Sequence, residues 1–383
     1  MATRLLRALT PPPPNITAEY DGFEFRWKFI TFRPALFQNE VFFLLAVAVY
    51  VAAYFLGKKA NERKVKTWCV SYCDRFNAHK PLYEAQLSKP YHKGSLTQDG
   101  NTDYFNFSTG RRAITSLHTV WTLRPRHDPF QYTFQIARGF IDLDYRVCDE
   151  LELDFAFRDT ANVPECVWAI VAKDEMRTIR NERWDLTFTK TSEHPSLPPT
   201  LTVMSEFADI TENMFKPYGS FSLTSVLSSP SVLPYFRSLS ITDQPSRRPE
   251  SPLPASERSK RLRLSLRLPP ASDAEATRPL IEAIFQLIDI VAGETRALRG
   301  GLSGALRPET RAKLRKAREE VDKQIREEAA KERREEAGEK RTAAKKKAEE
   351  ERMSRLSAAE QKKELEREKK RAMRKSQAKI KVR

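Results

Sequence analysis

The sequence predicts an α+β cytosolic domain carried on one N-terminal transmembrane helix and followed by a long, basic, coiled-coil-like helical tail. Three observations carry that prediction. Val41–Leu56, "VFFLLAVAVYVAAYFL", is sixteen residues without a charge. The middle of the chain mixes strictly alternating apolar runs with runs of helical period. After Leu306 the chain is rich in Lys, Arg, Glu and Ala and has no aromatic residue. These features divide it into an N-terminal segment (1–35), a span (36–57), a domain (58–304) and a tail (305–383).

A sixteen-residue helix is about 24 Å long, close to the roughly 27 Å hydrocarbon thickness of a thin bilayer. Between Pro34 and Gly57 the only charge is Glu40. A cleaved signal would start at the N-terminus behind a basic stretch, and a soluble core helix would show a polar face. This run offers only Tyr50 and Tyr54, which with Phe42 and Phe43 suit the two interfacial zones. Lys58, Lys59, Arg63, Lys64, Lys66 and Arg75 follow the span, against Arg26, Lys28 and Arg33 before it. That bias puts the residues after the span in the cytosol and residues 1–35 on the lumenal side. Asn15 opens an Asn-Ile-Thr sequon there, a glycosylation acceptor by pattern. The span carries no Asp, Lys, Arg or His, so alone it provides no ion or substrate path.

Beyond the span, residues 60–90 have a helical pattern, with Val65, Trp68, Cys69, Tyr72, Cys73 and Phe76 on one face. "DYFNFS" (103–108) is a short strand. Asp128-Pro129 forms an N-cap and first-turn pair that opens a helix through Phe134, Ala137 and Phe140. "ELELDFAFR" (150–158) alternates as a half-buried strand, and "CVWAIV" (166–171) is a more buried one. Residues 173–186 read as a helix, and 203–215 repeat apolar residues at helical spacing. Residues 243–260, with four prolines and four serines, read as a flexible loop. "RLRLSLRLP" (261–269) alternates again. A helix with Leu280, Ile284, Leu287, Ile288 and Val291 on one face follows, begun or kinked at Pro279.

Charge is unevenly spread. The chain has 67 basic and 51 acidic residues, a net charge of +16. After Leu306 the counts are 29 and 17, against 38 and 34 before it. In the tail, Leu314, Val321 and Ile325 make a short heptad-like seam, which lapses and is interrupted at Gly338. Ser357-Ala-Ala-Glu360 has the capping-box pattern that restarts a helix. Many Glu-to-Lys or Glu-to-Arg spacings of four support one or two long exposed helices.

No catalytic, cofactor-binding or metal-ligating constellation is apparent. Nucleophile-elbow, phosphate-loop and zinc-protease motifs are absent, and His79, His92, His118, His127 and His194 lie far apart. The acidic run 142–154 lacks the spacing of an EF-hand loop. Cys69, Cys73, Cys148 and Cys166 match neither a zinc nor a disulfide framework and read as reduced core residues. The basic tail admits three readings: a solvated helix, a grip on anionic lipid, or phosphate contacts to nucleic acid. Lacking aromatics to stack on bases, it suits structured RNA backbone, and on a membrane-tethered protein that points to the ribosome docked at the endoplasmic reticulum (ER). Candidate contacts are Lys369, Lys370, Arg371, Arg374, Lys375, Lys379 and Lys381. Lys379 and Lys381 also fit the dilysine pattern of ER retrieval.

An ordered set of stretches then carries a resemblance: the span ending "GKKANERK", "LPPTLTVMSEFADITENM" (197–214), "SLSITDQ" (238–244), "LRLSLRLP" before "RPLIEAIFQLIDIV", and a charged tail ending "KIKVR". The set resembles the calumin family of coiled-coil-domain-containing ER membrane proteins, subunits of the PAT complex (protein associated with the ER translocon), over roughly residues 40–383. The resemblance implies a non-enzymatic scaffold and intramembrane chaperone subunit. Its implied partners are an Asterix-like small membrane protein, the Sec61 translocon, the ribosome and its RNA, nascent multipass membrane proteins and the ER membrane. The alternatives are an ER tether whose tail grips anionic lipid, or a calcium-homeostasis protein. Animal members carry a long acidic lumenal segment linked to calcium, whereas residues 1–40 here are short and near-neutral. The calcium role therefore does not carry over, and the short form resembles a fungal-type member.

Overall fold

The computed structural model describes residues 22–27, 30–32, 38–73, 82–89, 96–142, 145, 147–254 and 258–354. The helix that carries the apolar run does not end with it. The run is the first half of one helix, α1, Gln38–Cys73, of 36 residues. No proline interrupts it, so nothing in the sequence imposes a kink. The expected helix over 60–90 is thus the continuation of the span. It ends earlier than expected: a separate short helix, α2, covers Leu82–Gln86, and Lys89 bridges to Thr109 as extended chain. Phe76 lies outside the described residues.

Two small strands precede α1: β1 (Phe25–Trp27) pairs antiparallel with β2 (Ile30–Phe32). The domain is built on a nine-stranded antiparallel sheet. Its strands are β3 (Thr97–Asp99), β4 (Asp103–Ser108), β5 (Ile114–Thr122), β6 (Glu150–Phe157), β7 (Trp168–Ala172), β8 (Lys190–Ser192), β9 (Leu201–Ser205), β10 (Phe236–Thr242) and β11 (Arg261–Arg267). Their spatial order is β3-β4-β5-β6-β11-β10-β7-β9-β8. The two cleanly alternating runs, β6 and β11, are neighbours near the middle of the sheet. Leu262 pairs with Phe155, Leu264 with Leu153 and Leu266 with Leu151 on the core face. The opposite face places Arg263 across from Asp154 and Arg267 across from Glu150, opposite charges at cross-strand distance.

The second half of α1 packs into the core. Trp68 stacks on Tyr72 (centroids 4.3 Å apart) and meets Trp121 of β5 edge-on (5.4 Å). The Tyr72 hydroxyl donates to the Ala274 carbonyl (2.9 Å) and lies 2.8 Å from the Thr277 hydroxyl, just before α7 (Arg278–Ala292). Pro279 lies in the first turn of α7, so it starts that helix without kinking it. Gly293, with φ 84°, closes it in the left-handed conformation typical of helix ends. Leu280, Ile284, Leu287, Ile288 and Val291 all face the core.

Two further expectations about helices are corrected. Residues 203–215 are not all helical: 201–205 form β9, buried on both faces, and the helix α5 covers only Ala208–Phe215. The helix expected over 173–186 is α4, Met176–Glu182, followed by a 3-10 turn at Trp184–Phe188. The loop 243–260 has no helix or strand among its described residues, but Asp243 and Gln244 at its start are buried.

The described residues fall into two units, one within 22–248 and 258–314, the other within 249–254 and 315–354. The remaining helices of the first unit are α3 (Pro129–Ile141), α6 (Leu223–Leu227) and α8 (Gly301–Ala305). The long helix α9, Pro308–Ser354, runs through Gly338 without a break, so that glycine does not interrupt it. Leu314, Val321 and Ile325 are its buried apolar residues, and most of the rest is exposed. Pairs such as Lys323–Glu327 (3.9 Å) and Glu336–Lys340 (3.5 Å) lie four residues apart along it. The Ser357–Glu360 pattern lies outside the described residues.

Candidate functional site

The feature that sets this molecule apart is the junction where α1 leaves its apolar half and enters the domain. Between Val41 and Leu56 almost every side chain is exposed. From Gly57 onward one side of the helix is buried. A Cβ at that position would lie 2.0 Å from the carbonyl oxygen of Arg126 and 2.5 Å from the amide nitrogen of His127. Only glycine lets the loop 124–128 reach the helix so closely.

One turn later the fully buried Asn61 donates its amide to the carbonyls of Asn101 and Arg124, both at 3.0 Å. Its side-chain oxygen accepts from Arg126 Nη1 (2.8 Å). Arg126 grips both carboxylate oxygens of Asp149 at 2.8 and 2.7 Å, the paired geometry that favours arginine. Lys64 donates to the same carboxylate (2.5 Å), as does the Arg124 amide (3.0 Å). Burial alone would push the Asp149 carboxyl up. The donors from Arg126, Lys64 and Arg124 outweigh it and hold the group well below the usual carboxylate range. Gly57, Asn61 and Lys64 share one helix face by their spacing, so Asp149 ties that face to the strand β6 that follows it.

The same loop launches α3. Asp128 caps it, accepting from the amides of Phe130 (3.0 Å) and Gln131 (3.2 Å). None of its residues is buried. Phe130, Phe134, Ile136, Phe140 and Ile141 are all exposed. Phe130 lies 5.8 Å from Tyr50 and His127 lies 5.9 Å from Tyr54, between ring centroids. The start of α3 therefore runs beside the apolar half of α1.

Elsewhere charges pair with one another. Arg237 contacts Glu150 and Glu175, Arg267 contacts Glu175 and Asp174, and Arg183 meets the buried Asp185 at 2.5 Å. Burial pushes the Cys148 thiol up to about 11. In an open depression lined by Ser71, Pro230, Tyr235 and Asp273, the Tyr235 hydroxyl donates to Asp273 at 3.2 Å. Among the described residues no group of three or more His, Cys, Asp or Glu is placed to hold a metal.

A family model described as PAT complex subunit CCDC47 matches residues 36–375. The chain belongs to that family. It is 28% identical over 305 residues to a Schizosaccharomyces pombe protein named UPF0674 endoplasmic reticulum membrane protein, covering 74% of this chain and 73% of the relative. It is 24% identical over 202 residues to the zebrafish (Danio rerio) PAT complex subunit CCDC47 and 23% to the human protein. Those matches cover 47% of this chain but only 38% and 39% of the two animal proteins. α1 is, among the described residues, the one helix long and apolar enough to cross a membrane.

The tail residues proposed from sequence, Lys369, Lys370, Arg371, Arg374, Lys375, Lys379 and Lys381, lie outside the described residues, as does Asn15. The junction residues Asn61, Arg126 and Asp149 had no sequence signature as a group. The available signal was Gly57, Asn61, Lys64, Trp68 and Tyr72 continuing the span's helical period.

Proposed function

We propose that this family member is a non-enzymatic ER membrane scaffold and intramembrane chaperone subunit that assists multipass membrane proteins at ribosome-bound Sec61 translocons. The observation that carries the reading is α1. One continuous helix is exposed and apolar over Val41–Leu56 and then locks into a sheet domain through Gly57, Asn61, Lys64 and Asp149. Such a part holds a large domain at a fixed position beside a membrane channel. The family match and the names of the relatives support the setting. An Asterix-like partner would supply the polar intramembrane contacts that the uncharged span lacks.

In this reading residues 1–35 are lumenal, and the tail reaches ribosomal RNA through the basic residues after Glu368. The test is co-sedimentation with ribosomes from ER membranes. Association should fall steeply between low and physiological salt, because phosphate contacts release counterions. Deleting 357–383 should remove the salt-dependent part. Absent or salt-insensitive association would reject the ribosome arm. Glycan addition at Asn15 in ER membranes, lost in Asn15→Gln, checks the topology separately.

A further inference from the structure

Helix α3 is built inside out. The other long helix of the domain, α7, turns its apolar side chains inward. In α3 the wide face carrying Phe130, Phe134, Ile136, Ala137, Phe140 and Ile141 is the exposed one. Phe130 is 76% exposed, Phe140 83% and Ile141 87%. The partly covered residues are Pro129, where the helix starts, and Tyr132, Gln135 and Gly139 on the opposite side. Thr133, on the apolar face, turns its hydroxyl back to the carbonyls of Pro129 (2.8 Å) and Phe130 (3.0 Å), so no unpaired donor is presented there. Within 129–141 there is no acidic residue and one cation, Arg138, whose guanidinium lies 4.3 Å over the Tyr145 ring.

We propose that α3 is a second membrane contact: an interfacial helix whose apolar face lies in the headgroup–acyl boundary of the leaflet from which α1 emerges at Lys58. Its placement decides in favour of lipid over other occupants. Phe130 sits against Tyr50, eight residues before Lys58, or about 12 Å along the helix axis. His127 sits against Tyr54, about 6 Å before Lys58. Helices lying in an interface bury their apolar face by about 5–10 Å, so α3 starts at the depth such a helix occupies. The contact of Gly57 with Arg126 and the bidentate Arg126–Asp149 pair hold the loop before α3 against α1. Any bilayer crossed by Val41–Leu56 therefore also meets the exposed face of α3. The inference rests on α1 spanning a membrane, not on ribosome association.

The experiment uses the full chain reconstituted alone into phosphatidylcholine–phosphatidylserine liposomes. Nitroxide labels are placed at Phe134→Cys and Phe140→Cys, with Gln131→Cys and the mid-span Val47→Cys as controls, and the signal from the four native cysteines is subtracted. Collision with oxygen is compared with collision with a water-soluble nickel chelate. Labels at 134 and 140 should favour oxygen at least about tenfold more than the label at 131, and less than the label at 47. Labels at 134 and 140 as open to the chelate as that at 131 would overturn the proposal and leave the face for a protein partner. Labels shielded from both reagents would overturn it in favour of self-association. If the label at 47 also meets the aqueous chelate, the spanning reading itself fails, which separates the two failures.

Discussion

Replacing Gly57 by alanine sets two effects of opposite sign against each other. Inside an exposed helix, glycine to alanine stabilises by about 1 kcal/mol. Here the new Cβ would stand 2.0 Å from the Arg126 carbonyl oxygen and 2.5 Å from the His127 nitrogen. Comfortable contact begins near about 3.5 Å. Both neighbours are backbone atoms, so the loop must retreat by more than about 1 Å. That loop carries the guanidinium that binds Asn61 and Asp149 at 2.7–2.8 Å. Overpacking of this kind costs about 1–3 kcal/mol, and a weakened charged hydrogen bond adds about 1 kcal/mol. After the propensity gain, the expected net loss is about 2 kcal/mol. For a domain of this size that lowers the unfolding midpoint by roughly 4–8 °C. The assay is thermal unfolding of the full chain in detergent, followed by the fluorescence of the buried Trp68, Trp121 and Trp168. A midpoint that stays the same or rises would refute the close approach of α1 and the loop.

Three further outcomes follow from the same structure. Asp149→Asn should cost about 3 kcal/mol by leaving Arg126 and Lys64 without their carboxylate, at the low end because Lys64 is one-third exposed. The folded carboxyl titrates below its ordinary value of 3.8, so its stabilisation is present above that pH and lost as the pH falls through the lower folded value. Denaturation curves should therefore show the gap between wild type and Asp149→Asn closing below about pH 4. Cys148, with its thiol pushed up to about 11 by burial, should alkylate at pH 8 about a hundredfold more slowly in the folded chain than in denaturant, as read by mass spectrometry. Gly338 has nothing within 4 Å of a built Cβ, so Gly338→Ala should slow hydrogen exchange around it by up to about fivefold.

The sheet was legible where one face is wet and one dry. β6 and β11 alternate because Glu152, Asp154, Arg261 and Arg263 face away from the core that holds Leu151, Leu153, Leu262 and Leu264. β10 escaped notice because it is buried on both faces with polar residues, Ser238, Ser240 and Thr242 among them, so neither alternation nor an apolar run marks it. In β5 a register shift between Ile114 and Ser116 breaks the period. β9 was absorbed into a helical pattern because "LTVMS" directly precedes α5. At the junction, Asn61 and Lys64 are visible on the α1 face, but their partner Asp149 lies 85 residues from Lys64. For α3 the cap and the period were readable, yet the direction of its apolar face was not. That direction depends on what the rest of the chain leaves uncovered.

The unbroken course of α1 removes the swivel that usually separates an anchor from its cargo. From Lys58 to Cys73 the helix continues for about 24 Å past the last apolar turn, with its side chains interlocked with the sheet. Membrane spans commonly tilt by about 20°. Carried through a stiff rod of that length, such a tilt displaces the far end by roughly 8 Å. In a bilayer crossed by Val41–Leu56, thickness would thus become a mechanical input: a thicker or thinner membrane would re-aim the whole sheet, like the needle of a gauge.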